Sequence, residues 1–227
     1  MRRAYNSFLL GLFLLLVICP FSAQAAMLGF VTEDVSETDK AAVLNRMDLD
    51  TVQDDSYRAG IQCFAVDQNG RYALAVGKGS NCRIYVYDQK GMFLYGYAFT
   101  SDGDYGIEFH QDNLGIYFVR GNTIAIFDDS GICTEIYQAL DIVSNYSRAK
   151  EILNRTHKSM HGREYRLERD MDIGDAYERF VVVDDQGVRT VLMDTSNEHG
   201  AAQSFLLVVP ACFFVLVTWG VYKKRRK

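Results

Sequence analysis

The side chains of this sequence best suited to metal or acid–base chemistry are four histidines, His110, His157, His161 and His199. His157 and His161 are spaced i, i+4, so on a helix they would share one face and could chelate zinc once a third ligand approached. No His-Glu-x-x-His arrangement accompanies them and their surroundings are polar, so they read as part of a solvated loop. His110 closes an apolar run and reads as a core or turn residue. The chain contains neither a Gly-x-Ser-x-Gly elbow nor a phosphate-binding Gly-rich loop. The expectation is therefore a protein without catalytic activity. No catalytic residue, cofactor or metal ligand is assigned, and the binding residues are unknown.

Cysteine and tyrosine carry the remaining chemical signals. Cys19 and Cys212 lie in apolar runs at the two ends, which leaves Cys63, Cys82 and Cys133 in the body. Three cannot all pair. Cys63 and Cys82 fall on runs that read as strands separated by a third strand, hence roughly 10 Å apart. A disulfide requires Cα atoms within about 7 Å, so buried thiols are expected. The chain also holds 14 Tyr and 14 Phe, with Tyr85, Tyr87, Tyr95, Tyr97, Tyr105 and Tyr117 crowded into apolar runs. A tyrosine-rich sheet could present a stacking surface to carbohydrate or peptide. The plainer account is that strands favour Tyr.

The elements that must position these residues read as strands. From Ile61 to Tyr137, runs of Val, Ile, Tyr and Phe alternate with Gly, Asn and Asp, which predicts strands near 61–66, 71–77, 82–87, 92–99, 105–110, 114–119, 122–127 and 132–137. Further strands are expected at 164–169, 177–183 and 188–193. Four joints share one chemistry: Asp67-Gln68-Asn69-Gly70, Asp88-Gln89-Lys90-Gly91, Asp128-Asp129-Ser130-Gly131 and Asp184-Asp185-Gln186-Gly187. Asp can accept backbone hydrogen bonds within a turn and Gly can enter the left-handed region, so these are hairpin turns. Each offers too few oxygens for a calcium cage.

Two longer units align, Gly60-Ile61 through Gly91 with Gly106-Ile107 through Gly131. A period in the forties with four strands per unit is the sequence pattern of a β-propeller blade. Phe64-Ala-Val-Asp-Gln-Asn-Gly-Arg-Tyr-Ala-Leu-Ala-Val-Gly, followed by Ile84-Tyr-Val-Tyr-Asp-Gln-Lys-Gly, resembles an NHL-type blade. The resemblance spans roughly 80 residues and implies about two blades plus a remnant, whereas a closed propeller needs at least four. The fold class expected is all-β, an antiparallel meander of hairpins resembling a partial β-propeller, plus one C-terminal transmembrane helix.

The ends set the topology. Residues 1–26 read as a signal peptide: Arg2 and Arg3, an apolar run from Phe8 to Cys19, then Pro20 and Ala23-Gln24-Ala25. An uncleaved first anchor is one alternative. Another is lipidation at Cys19, since Leu16-Val17-Ile18-Cys19 resembles a bacterial lipobox, although Ile18 stands where a small residue is expected. Residues 204–222 read as a transmembrane helix, uncharged from Phe205 to Tyr222 and roughly 27 Å long at about 1.5 Å per residue. Lys223, Lys224, Arg225, Arg226 and Lys227 follow as a basic cytoplasmic tail, which puts the body outside the cell membrane. No Leu-Pro-x-Thr-Gly sorting motif precedes the span.

Between these ends, 27–57 reads as an acidic flexible lead with at best a short helix near Thr38–Met47. An extracytoplasmic β domain is expected over 58–194 and a juxtamembrane linker over 195–203. Within the domain, 141–162 reads as a polar connector with a helical turn near Tyr146–Leu153. In a eukaryotic source Asn145-Tyr146-Ser147 and Asn154-Arg155-Thr156 would be glycosylation acceptors. Seven of the 24 Lys and Arg residues lie at the two ends, so the body carries 17 against all 29 acidic residues, formally −12. Such a body repels nucleic acid. The partners expected are membrane lipid through 204–222 and a protein or carbohydrate of unspecified kind. The function expected is a membrane-anchored extracytoplasmic binding or sensing module. A structural subunit of a membrane complex, whose partner completes the open sheet, is the alternative, and a cell-surface hydrolase the third reading.

Overall fold

A computed structural model describes residues 26–169 and 176–196. The segments expected as signal peptide, apart from Ala26, and as transmembrane helix and basic tail lie outside the described residues. Among the described residues no helix is long and apolar enough to cross a membrane. The chain opens with β1 (Ala26–Met27), β2 (Phe30–Asp34), helix α1 (Glu37–Met47) and β3 (Asp50–Val52). The segment expected as a flexible lead thus carries three ordered elements. Ser36 caps α1 by accepting the Asp39 N–H at 3.2 Å, and Glu37 and Asp39 place acidic charge in its first turn.

Three consecutive four-stranded meanders follow. The first comprises β4 (Ile61–Val66), β5 (Tyr72–Val76), β6 (Cys82–Tyr87) and β7 (Phe93–Phe99). The second comprises β8 (Tyr105–His110), β9 (Asn113–Phe118), β10 (Thr123–Phe127) and β11 (Cys133–Ala139). Helix α2 (Val143–Leu153) then leads into the third, β12 (His157–Met160), β13 (Arg163–Glu168), β14 (Arg179–Val183) and β15 (Arg189–Asp194). All pairings are antiparallel. The N-terminal strands extend two of the sheets: β3 pairs with β7, and β2 pairs with β11, giving orders β3-β7-β6-β5-β4 and β1-β2-β11-β10-β9-β8. Among the described residues no sheet closes on itself. The chain is therefore mostly β, as expected, but the connector 141–162 holds a full helix and a strand in place of a single helical turn.

The four Asp/Gly joints fold alike. Each Asp N–H donates to the carbonyl four residues on, at 2.9 to 3.1 Å, and each Asp carbonyl accepts from the Gly N–H. Each Asp Oδ1 also accepts from the backbone N–H groups two and four residues later. All four glycines have φ between 79° and 86°. This is the three-residue hairpin loop closed by a left-handed residue that the spacing predicts.

The five-stranded sheet is buried on both faces, which explains why β5, Tyr72-Ala-Leu-Ala-Val76, is apolar throughout instead of alternating. One face packs on the six-stranded sheet through Cys63, Ala65, Ile84 and Tyr97 against Ile107, Leu114, Ile116 and Phe127. The other packs on the four-stranded sheet through Phe64, Leu74 and Tyr85 against Tyr165, Leu167 and Phe180. Helix α2 covers the remaining face of the six-stranded sheet, with Ala149 and Ile152 against Phe30, Tyr117 and Ile124.

A buried polar side chain fastens α2 to the N-terminal strand. Buried Asn145 accepts the Val31 N–H through Oδ1 and donates through Nδ2 to the carbonyls of Val31 and Leu140, all at 2.8 Å. This withdraws Asn145 from the accessible glycosylation acceptors, whereas Asn154 is exposed. Asn145→Ala leaves the Val31 N–H without its partner, while the Val31 and Leu140 carbonyls still accept from the Leu140 and Ile142 N–H groups, and the expected loss is about 2 kcal/mol. Chemical denaturation should show it, with Asn154→Ala near wild type as the comparison.

Candidate functional site

A cleft of about 1170 Å³ lies between α2, β12 and the β4–β5 and β8–β9 turns. Its walls come from segments whose local structure has distinct causes. In β8 the alternation of a strand sends Tyr105, Ile107 and Phe109 to one side and Glu108 to the other. In α2 the spacing of Asn145, Ala149 and Ile152 fixes the buried face, so Arg148 flanks it and reaches the cleft. Arg155 follows the helix end, and Lys158 belongs to β12.

These three cations converge on Glu108. Arg155 Nη2 donates to Glu108 Oε2 at 2.6 Å, Arg148 Nη2 donates to the same oxygen at 3.2 Å, and Lys158 Nζ donates to Oε1 at 3.3 Å. The Glu108 side chain is 10% exposed and that of Arg155 7%. Arg148 is braced from its other side, Nε donating to the Leu28 carbonyl at 2.7 Å and Nη1 lying 2.7 Å from Glu151 Oε1. Lys158 Nζ also donates to the Val66 carbonyl at 2.7 Å, which ties the third sheet to the first.

In the cluster around Glu108 the cations outnumber the carboxylates. Burial works to raise the Glu108 pKa, but Arg155, Lys158 and Arg148 together outweigh it and hold the carboxyl below the usual range. Lys158 is displaced downward, first by burial and then by repulsion from Arg155 and Arg148, although Glu108 pulls the other way. Lys150 adds a further exposed cation to the lining. At the rim Arg71 pairs with two of the acids, its Nε donating to Asp67 at 2.6 Å and its Nη2 to Asp112 at 3.1 Å. Arg155 Nη1 is buried and has no hydrogen-bond partner among the described residues.

The histidines are placed differently from the helical reading. His157 lies in β12 and His161 in the β12–β13 turn at φ 52°, so they do not share a helix face. His161 Nε2–H donates to the Gln68 carbonyl at 2.8 Å, which commits that nitrogen to a structural bond. His110 ends β8, half-buried, and His199 lies outside the described residues. Among the described residues no three His, Cys, Asp or Glu side chains are grouped to hold a metal ion.

Cys63, Cys82 and Cys133 are free thiols. The first two are buried, as expected, and burial pushes Cys63 up to about 12; Cys133 is half-buried. The tyrosines do not form an exposed stacking face. Tyr85, Tyr87, Tyr97, Tyr105 and Tyr117 are buried, with Tyr72 stacked on Tyr87 and Tyr117 on Phe30. The preference of Tyr for strands accounts for them.

Sequence reasoning missed the cleft residues. The available signals are a lone carboxylate inside the apolar strand Tyr105–His110 and a 4-then-3 spacing of Asn145, Ala149 and Ile152 in a segment that otherwise reads as a connector. No known family model and no curated protein matches this sequence.

Proposed function

We propose that this chain is an extracytoplasmic binding module without catalytic activity, held at the cell membrane by one C-terminal span, and that the cleft beneath α2 is its binding face. The observation that carries the reading is the convergence of charged side chains from β8, α2 and β12 on a cleft large enough for a small molecule. A carboxylate held below its usual range by three cations is a poor proton acceptor, which supports binding over acid–base catalysis. We read the three stacked meanders as an incomplete β-propeller of the NHL type, with α2 occupying the face on which a further blade would pack.

A second reading, a structural subunit whose partner completes an open sheet, is favoured by one observation. Strands β1, β3, β12 and β15 each end a sheet and leave one row of backbone groups outside its ladder.

The anchoring is tested by cysteine labelling in intact cells. A membrane-impermeant maleimide is expected to modify Lys90→Cys, in an exposed turn, and to spare a cysteine appended after Lys227; the reverse pattern overturns the orientation. Hydrogen exchange on the full chain purified in mild detergent separates the two functions. Rapid exchange along β3 and β15 supports the binding module, and a stoichiometric partner that protects either strand supports the subunit.

A further inference from the structure

We infer that the cleft takes an oxyanion, a carboxylate or phosphate carried by a small molecule, on the free edge of Arg155 and the flanking cations Arg148, Lys150 and Lys158. The inference deepens the binding-module reading and rests on it for the choice of cleft.

Three observations carry it. First, a guanidinium presents paired N–H donors in one plane, a geometry that matches the two oxygens of a carboxylate or phosphate. Arg155 uses Nη2 on Glu108, while its buried Nη1 has no partner among the described residues and the side chain lines the cleft. A buried N–H without an acceptor is costly, and an incoming oxygen removes that cost. Second, Glu108 already fixes the fork from behind. Arg155, Arg148 and Lys158 are therefore held in place before any ligand arrives, so binding does not have to order them. Third, the charge is local. The body is formally −12, whereas the lining sets Arg148, Lys150, Arg155 and Lys158 against Asp67, Glu108, Asp112 and Glu151, four cations to four carboxylates. A recess of balanced charge within an acidic surface, its cations gathered at Glu108, admits an anion that the remainder of the molecule repels.

The test uses the full chain in neutral detergent, with thermal unfolding followed against inorganic phosphate, against succinate, and against chloride at matched ionic strength. A saturable rise in Tm with phosphate, with succinate, or with both, beyond that with chloride, is expected; the arm that responds identifies the group. Arg155→Lys keeps the charge and the pairing with Glu108 but removes the second donor edge, and it should weaken the apparent Kd roughly tenfold. Lys150→Glu alters an exposed residue, leaves folding intact and should weaken binding several-fold. Glu108→Gln, which uncovers the cations, should bind phosphate more tightly than wild type. The inference is overturned if phosphate and succinate act no differently from chloride. It is equally overturned if Lys150→Glu and Glu108→Gln both respond as wild type does, a comparison that stands even where Arg155→Lys fails to fold. Loss of anion binding with correct labelling topology would remove this inference alone. Anion binding with inverted labelling would remove the orientation and leave the site.

Discussion

Glu108→Gln is expected to destabilise the described domain by about 3 kcal/mol, because it removes the one anion that Arg148, Arg155 and Lys158 all share and leaves the buried Arg155 guanidinium only the more distant Glu151, at 3.6 Å. The side chain is nearly isosteric, so little of the loss comes from packing. For a domain of this size about 3 kcal/mol corresponds to a fall in Tm of roughly 6–12 °C. The pH dependence separates the electrostatic cause from a steric one. Glu108 titrates below its ordinary value in the folded protein, so its contribution is fully present above the unfolded carboxyl pKa of about 4.3. It is lost as pH falls through the lower folded value. The gap in stability between wild type and Glu108→Gln should therefore be widest near neutrality and close as the pH drops below about 4. A gap that stays constant from pH 7 to pH 3 would show that charge is not its origin.

The second large effect is expected at Gly131. Its φ of 82° lies in the left-handed region, and a Cβ there would sit 2.7 Å from Thr51 Cγ2 and 3.6 Å from Leu49 Cδ2. The turn is also locked to the five-stranded sheet, since the Tyr97 hydroxyl donates to the Asp128 carbonyl. Gly131→Val combines backbone strain with a clash against β3, and a loss of about 2–4 kcal/mol is expected. Two comparisons isolate these causes. Gly187 has nearly the same φ, 79°, but nothing within 4 Å of its would-be Cβ, so Gly187→Val should cost only the strain. Ser130→Val removes one exposed hydroxyl bond to Asp128 and should cost less than about 1 kcal/mol. Denaturant midpoints in the order Ser130→Val, Gly187→Val, Gly131→Val, from mildest to most severe, are the expected outcome. Equal midpoints would refute the account of these turns.

The parts of the fold that were legible in the sequence are those where local chemistry decides the conformation. Asp and Gly at fixed offsets specify a hairpin whatever surrounds it, and β4 and β6 begin and end where the residues alone place them. Legibility failed where long-range packing decides. Phe30–Asp34 looks like part of an acidic lead because only Phe30 and Thr32 are buried, and its partner β11 lies far along the chain. His157–Met160 reads as loop because its strand identity comes from pairing with Arg163–Arg166. The candidate site was hidden for the same reason. Glu108, Arg148, Arg155 and Lys158 are ordinary surface residue types in sequence, and their meaning arises only when β8, α2 and β12 bring them within hydrogen-bond reach.

The sequence separation of β2 from its partners also constrains the time course of folding. Each meander can zip from its own turns as soon as its strands exist, whereas Val31 needs the side chain of Asn145, 114 residues later. The six-stranded sheet therefore cannot be completed until most of the domain has been synthesised, and β2 spends that interval paired only with the two-residue β1. Its docking is a late event. Substitutions along β2 should accordingly speed unfolding far more than they slow refolding, and the rate at which the finished domain releases its first strand sets its kinetic lifetime.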